Sequence, residues 1–217
     1  MLFRSALDEA YTATDAEDGV ITGNVQVTGL DEVQFNQAGN YTITYKVVDR
    51  SGNEVIKTRT VSVVDMNDFT YLSDDNWKSE SHSYAAPKKD VATSGNALRL
   101  TGKNSQVVTY EKGIGAHATS TIVYDLTNKE AMYFSSYVGV DRQMYNSVGS
   151  VGFQVYVDGV KKFDSGTMTA KAEQKYVEVP LLGAKELKLV VTDGGNGQGS
   201  DHATWGDAKL HFANPNR

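Results

Sequence analysis

The sequence predicts an all-β protein made of antiparallel sandwiches, and three observations lead there. Runs of residues alternate between apolar and polar with a period of two, clusters of Gly, Asp, Asn and Ser separate those runs, and no window carries the 3.6-residue period of an amphipathic helix. Such alternation suits half-buried strands, because successive side chains point to opposite faces of a sheet. The chain has 217 residues, enough for two small domains or one large β domain.

In the N-terminal part, Tyr41, Ile43, Tyr45 and Val47 alternate with Thr42, Thr44 and Lys46, which reads as the clearest strand of the chain. Asp49-Arg50-Ser51-Gly52-Asn53 supplies turn residues and Glu54 to Val64 a return strand, so the pair reads as a hairpin. Val55, Lys57, Arg59, Val61 and Val63 share one parity there, which requires either a bulge or a first half exposed at an edge. Asp15, Glu17 and Asp18 gather hard carboxylates without a full calcium ligand set, so an acidic, solvated turn is the preferred reading. Asp65-Met66-Asn67-Asp68 then forms a short polar joint with no Gly, Ser or Pro tract, which implies closely coupled domains.

Beyond the joint, Trp77 is expected to anchor by core packing. Strands are predicted at 97–100, 106–110, 121–126, 131–140, 151–157, 160–164 and 175–179. Val151, Phe153, Val155 and Val157 face inward in this scheme, and Asp158-Gly159 makes a two-residue hairpin turn favoured for its positive φ angles. Together these strands predict a Greek-key or jelly-roll sandwich. Two long polar loops remain. One runs from Asp141 to Ser150; the other, Asp193 to Gly206, lies between strands at 187–192 and 208–212 and holds glycines, aspartates, an asparagine, a histidine and a tryptophan. Long loops in a β domain concentrate function, and loops at one sandwich end can form a shallow pocket.

Composition narrows the partners. A formal net charge of −6, with no run of Lys or Arg interleaved with aromatics, disfavours nucleic acid and anionic membranes, so a neutral ligand fits better. The absence of cysteine removes disulfides, thiolate metal sites and a cysteine nucleophile. No apolar run approaches the ~18 residues that span a bilayer.

Glu186 to Phe212, ELKLVVTDGGNGQGSDHATWGDAKLHF, resembles the C-terminal signature of NPCBM-type domains, carbohydrate-binding module family 51, which reads roughly LxLVVTDAGDGxxxDHADWADAKL. Tyr71-Leu72-Ser73-Asp74-Asp75-Asn76-Trp77, Gly113-Ile114-Gly115-Ala116-His117-Ala118, Ile122-Val123-Tyr124-Asp125-Leu126, Val138-Gly139-Val140-Asp141 and Val151 to Gly159 are similar to it in the family's order. The resemblance implies a discoidin-like β-sandwich over 67–217 that binds galactose-type glycans, such as blood-group or mucin glycans, without catalysis. It also implies a covalently linked catalytic domain, a glycoside hydrolase or mucin-active peptidase, in a secreted or cell-surface bacterial protein. Gly194, Asn196 and Thr204 depart from the pattern's Ala, Asp and Asp, so specificity or affinity is expected to differ. The family's loop after Trp77 often carries a second tryptophan; here Tyr84 and His82 are the local substitutes. Ala13 to Thr22, Gly39 to Tyr45 and Val48 to Asn53 resemble bacterial immunoglobulin-like domains, which act as spacers; the resemblance implies a small Ig-like sandwich over 6–66, with a truncated first strand as one expectation.

A galactose unit offers an apolar face and a rim of hydroxyls, so its site needs an aromatic plate and fixed polar groups. Trp205 or Tyr145 is the candidate plate, with Asp141, Arg142, Asn196, Asp201 and His202 as hydrogen-bond partners and Tyr84 beside them. Each has a structural reading: Trp205 and His202 as internal braces, Asp141 as a turn cap, and His117 as a buried ring that donates to a backbone carbonyl. By loose analogy with discoidin-like sandwiches, a structural calcium would sit at Asp90 and Asp207 with backbone carbonyls. The rival functions are a structural or adhesive spacer that binds a protein or no ligand, and a glycoside hydrolase pairing Asp201 with Asp193 or His202 with Asp207.

Overall fold

The computed structural model describes residues 11–35, 37, 39–63 and 68–212. The expected joint at 65–67, Val64 and the residues before Tyr11 lie outside them. The chain divides between Asp65 and Met66 into two compact units.

The first unit contains β1 (Thr14–Asp15), β2 (Gly19–Val20), β3 (Gln26–Thr28), β4 (Gly39–Val48) and β5 (Glu54–Val63). β1 pairs with β2, and β4 lies between β3 and β5 in an antiparallel sheet. Ile43 is fully buried at the middle of β4, where the alternation places it. The β4–β5 register runs unbroken from Gly39↔Val63 to Val48↔Glu54, so no bulge is present and the first half of β5 is exposed. The acidic turn closes on itself: Asp15 Oδ1 accepts from the Glu17 and Asp18 N–H groups at 2.9 Å, and these bonds hold its carboxyl below the usual range.

The second unit contains β6 (Phe69–Tyr71), β7 (Ser79–His82), β8 (Lys88–Lys89), β9 (Leu98–Thr101), β10 (Val107–Tyr110), β11 (Gly113–His117), β12 (Ser120–Asp125), β13 (Ala131–Val140), β14 (Ser150–Val157), β15 (Val160–Thr169), β16 (Lys175–Pro180), β17 (Glu186–Asp193) and β18 (His202–Phe212). Two antiparallel sheets form the sandwich. One has the order β16-β13-β18-β11-β8, with β6 also paired to β18; the other has the order β15-β14-β17-β12-β7. A separate hairpin pairs β9 with β10. Val151, Phe153 and Val155 of β14, Leu187, Leu189 and Val191 of β17, and Phe134 and Val138 of β13 are buried between the sheets. Asp158 and Gly159 have φ of +48° and +80°, the left-handed pair that a tight hairpin turn demands. Asp158 Oδ1 also accepts from the Lys185 and Glu186 N–H groups at 2.9 Å. Trp77 packs, partly buried, against the core.

The final strand begins earlier than expected. His202–Gly206 is strand, not loop, because β11 pairs with it on one side and β13 on the other. The loop before it is therefore 194–201. A register shift between β13 and β18 falls at Ser135/Tyr137, opposite Asp207, whose φ is +52°. This bulge changes the inward parity of the strand, so Ala203 and Trp205 point into the same core as Ala208, Leu210 and Phe212.

Candidate functional site

Trp205 is fully buried, with its ring centroid 4.9 Å from that of Phe153 at 89° and 6.2 Å from that of Phe134. It is a core residue, and the bulge at Asp207 is the reason; it cannot serve as a sugar plate. A concavity is nevertheless present at that end of the sandwich. Tyr84, His117, Met144, Gln198, Ser200 and His202 line a cleft of about 400 Å³, with Gly199 at its edge.

The cleft is built where strand ends meet loops. His117 ends β11 and His202 begins β18, and the two are direct partners in the ladder. Their rings meet edge to face with centroids 5.1 Å apart, and the Tyr84 ring centroid lies 4.5 Å from that of His117. Tyr84 is 73% exposed, so its ring is the aromatic surface a ligand can reach.

The hydrogen bonds assign roles to the imidazoles. His117 Nδ1 lies 2.8 Å from the Ala118 carbonyl, which only accepts, so Nδ1 carries the proton and Nε2 is left as an acceptor. This matches the expectation that His117 donates to a backbone carbonyl, but the ring also borders the cleft. His202 Nδ1 lies 2.9 Å from Thr93 Oγ1 and 3.2 Å from Gln143 Nε2; with the amide donating, Nδ1 accepts and Nε2 carries the proton. Burial, and then the neighbouring His117, lower the pKa of His202, so its ring is neutral at pH 7. In neutral rings these bonds leave the two Nε2 atoms with opposite roles, one acceptor and one donor.

The 141–150 and 194–201 loops do gather at one end, and most of the predicted polar residues hold them there. Asn196 accepts from Ser150 Oγ at 2.8 Å and donates to the Val148 carbonyl at 3.0 Å. Asp201 is buried, and its Oδ1 accepts from the Ser150 N–H at 2.8 Å. Asp141 is buried too, accepting from Gln143 N–H at 3.1 Å, Thr204 Oγ1 at 2.8 Å and Arg99 N–H at 3.3 Å. The first of these is the capping role weighed for it. Arg142 stacks its guanidinium 3.5 Å from the Tyr145 ring centroid and donates to Thr101 Oγ1, so those two residues engage each other outside the cleft. Asn196, Asp201, Asp141, Arg142 and Tyr145 are therefore frame, and of the predicted set Tyr84 and His202 line the cleft.

Met144, Gln198 and Ser200 were missed as lining residues. The density of glycine around Gln198 was the signal available, since glycines free a loop to approach its neighbours. Gly149 shows that approach: a Cβ there would lie 2.2 Å from the Ser200 carbonyl oxygen. His82 instead pairs with Glu80 at 2.9 Å.

Asp90 and Asp207 meet near Lys112 and Gly113, but each carboxylate already engages an ammonium. Lys112 Nζ sits 2.9 Å from Asp90 and also contacts Asp74, while Lys209 Nζ sits 2.9 Å from Asp207. The Asp207 N–H donates to the Lys112 carbonyl at 2.9 Å. As arranged, both carboxylates are engaged by lysine ammonium groups, which a calcium ion bound there would have to displace.

A rigid two-sheet sandwich with an aromatic and imidazole-lined hollow at one end is a carbohydrate-binding module in class. Residues 68–211 match the NPCBM/NEW2 domain, and the chain belongs to that family. Residues 7–63 match the bacterial surface protein Ig-like domain. A Renibacterium salmoninarum protein named as an endo-alpha-N-acetylgalactosaminidase is 30% identical over 208 residues, which cover 89% of this chain but 13% of that protein. Among solved structures, the CBM51 of Clostridium perfringens GH95 in complex with methyl-galactose is 50% identical, with a TM-score of 0.64, covering 65% of this chain and 99% of that one. The CBM51-2 and INT domains of Clostridium perfringens ZmpB, in complex with GlcNAc, are 39% identical with a TM-score of 0.68, covering 95% of this chain and 46% of that one. The module is non-catalytic by family, and no helix among the described residues is long and apolar enough to cross a membrane.

Proposed function

We propose that the second unit binds a galactose-type glycan in the cleft of Tyr84, His117 and His202, as part of a longer secreted or surface-attached bacterial protein whose catalytic domain acts on such glycans. The observation that carries this reading is the exposed Tyr84 ring set beside the rings of His117 and His202 in a cleft at one end of the sandwich. The apolar face of the sugar packs on Tyr84, at ~25 cal/mol per Å² removed from water, while the imidazole nitrogens select the hydroxyl geometry. A relative at 50% identity in complex with methyl-galactose supports the choice of sugar. The Ig-like unit serves as a spacer between modules.

Calorimetric titration with methyl galactoside and with GlcNAc tests the reading. Binding of the galactoside at about millimolar or better, lost in Tyr84→Ala and His202→Ala, is expected. No binding to either sugar, or to a glycan array, would leave the spacer reading in its place. Calcium at Asp90 and Asp207 is a separate proposal that requires Lys112 and Lys209 to swing away. A rise in Tm on adding calcium supports it, and an unchanged Tm in chelator disposes of it.

A further inference from the structure

Next to the cleft, two cations converge on a single ring. The Arg142 guanidinium lies 3.5 Å from the Tyr145 ring centroid, and Lys171 Nζ lies 5.8 Å from the same centroid. Among the described residues, no carboxylate stands within ion-pair distance of either cation. The whole chain carries a formal net charge of −6, so this corner runs against the rest of the molecule.

Local packing holds both cations in place. The Asp141 carboxylate caps the short turn Arg142–Met144, which sets Arg142 and Tyr145 on either side of it. Arg142 donates to Thr101 Oγ1 at 3.1 Å, and its remaining nitrogens stay open to solvent. Lys171 is exposed on the turn between β15 and β16, where the Ala170 N–H donates to the Gly149 carbonyl at 2.9 Å and ties that turn to the 141–150 loop.

The acids of this region are committed elsewhere. Asp141 is buried and accepts from Gln143, Thr204 and Arg99, while Glu173 accepts from the Asn104 N–H at 3.3 Å. The Tyr145 phenol registers the resulting field: the nearby Ser105 hydroxyl first, and then the charges of Arg142 and Lys171, outweigh desolvation and hold it below its ordinary pKa of 10. Two like charges facing one ring repel each other, and an oxyanion placed between them relieves that repulsion while accepting from the open guanidinium N–H groups.

Consecutive residues join this corner to the cleft. Met144, just before Tyr145, lines the cleft, and Gln143, just after Arg142, lies 3.2 Å from His202 Nδ1. Neighbouring Cα atoms stand about 3.8 Å apart, so the two sites adjoin along this turn.

We propose that Arg142, Lys171 and Tyr145 form an oxyanion subsite for the acidic group of a glycan, a sulfate ester or a sialic acid carboxylate, borne by a sugar that occupies the cleft; the inference rests on the function proposed above. The ligand class is then an acidic glycan, which the negative charge of the whole chain does not suggest.

Titrating the full chain with methyl galactoside, its monosulfate esters, lactose and sialyllactose tests it, at ionic strengths of about 0.01 and 0.15 M. At least one acidic ligand is expected to bind the wild type about tenfold more tightly than its neutral parent at the lower salt, with a smaller advantage at the higher. A gain confined to the sulfates assigns the subsite to a sulfate ester, and one confined to sialyllactose assigns it to a carboxylate. Because Lys171 is exposed, Lys171→Glu is expected to abolish the advantage and Lys171→Arg to keep it, both with an unchanged Tm and neutral-sugar affinity within about twofold. Acidic sugars that bind no better than their neutral parents would overturn the subsite and leave the cleft reading standing. So would a Lys171→Glu protein that keeps the advantage. If a folded wild type binds none of these ligands, the cleft reading falls and the subsite with it.

Discussion

His117 and His202 are cross-strand partners in the β11–β18 ladder, and their rings meet edge to face with centroids 5.1 Å apart. The same residue pair closes the sheet and borders the cleft. Each ring has its Nδ1 committed to the protein, one as donor to Ala118 and one as acceptor from Gln143, which fixes the opposite tautomer on each.

That commitment makes binding and stability sensitive to acid. Burial first, and His117 second, lower the pKa of His202 below its ordinary value of 6.5, so the folded state takes up this proton later than the unfolded chain does. The stabilising contribution is complete above about pH 6.5 and is lost as pH falls through that value toward the lowered one. Once protonated, Nδ1 becomes a donor facing the Gln143 amide. Galactoside affinity is expected to be flat above about pH 6.5 and to weaken only once pH falls through the lowered pKa of the folded state, and His202→Gln is expected to show a shallower fall in Tm below pH 6.5. A His202→Gln protein with wild-type affinity at pH 7 would remove His202 from the ligand contacts.

Trp205 and Tyr84 separate stability from binding. Trp205→Ala empties a packed site between Phe134 and Phe153 and is expected to cost about 3–5 kcal/mol of unfolding free energy, read by denaturant titration. Tyr84→Ala removes an exposed ring and is expected to change stability by about 0.5 kcal/mol or less while lowering sugar affinity at least tenfold.

Asp141 acts as a buried hub. Its removal strands the Thr204 hydroxyl and the Gln143 and Arg99 N–H groups, so Asp141→Ala is expected to destabilise by on the order of 2–3 kcal/mol. Asp141→Asn, which keeps one acceptor oxygen, is expected to recover part of that loss.

Gly149 sets how close the two loops come. In Gly149→Ala the new methyl meets the Ser200 carbonyl oxygen, the loops must part, and a loss of about 1–3 kcal/mol is expected. Because Ser200 lines the cleft, sugar affinity should drop in the same variant. An unaffected affinity would show that the loop position does not matter to the ligand.

The strands of the sandwich were legible because their alternation is local. Val151 to Val157 and Leu187 to Val191 show their buried faces in the sequence itself, and Asp158-Gly159 announces its turn. β11 was not legible as strand, since Gly113, Gly115 and Ala116 carry no alternation of polarity. The split in the candidate site has a similar origin. His202 and Tyr84 line the cleft, whereas Asn196, Asp201 and Asp141 share their chemistry but brace the loops, because side-chain type does not reveal which partner lies within reach.

The sequence by itself determined the all-β class, the order of most strands and the family of the second unit, all of which depend on short patterns and ordered motifs. The tertiary structure decided which aromatic ring is exposed at the cleft. An extra residue at Asp207, held in the left-handed region and paired through its N–H to the Lys112 carbonyl, reverses the inward parity of β18 and buries Trp205. Tyr84 is left outside beside two histidines that meet only when β11 and β18 pair. Parity across a bulge and proximity across a ladder are properties of the folded sheets, not of neighbouring letters.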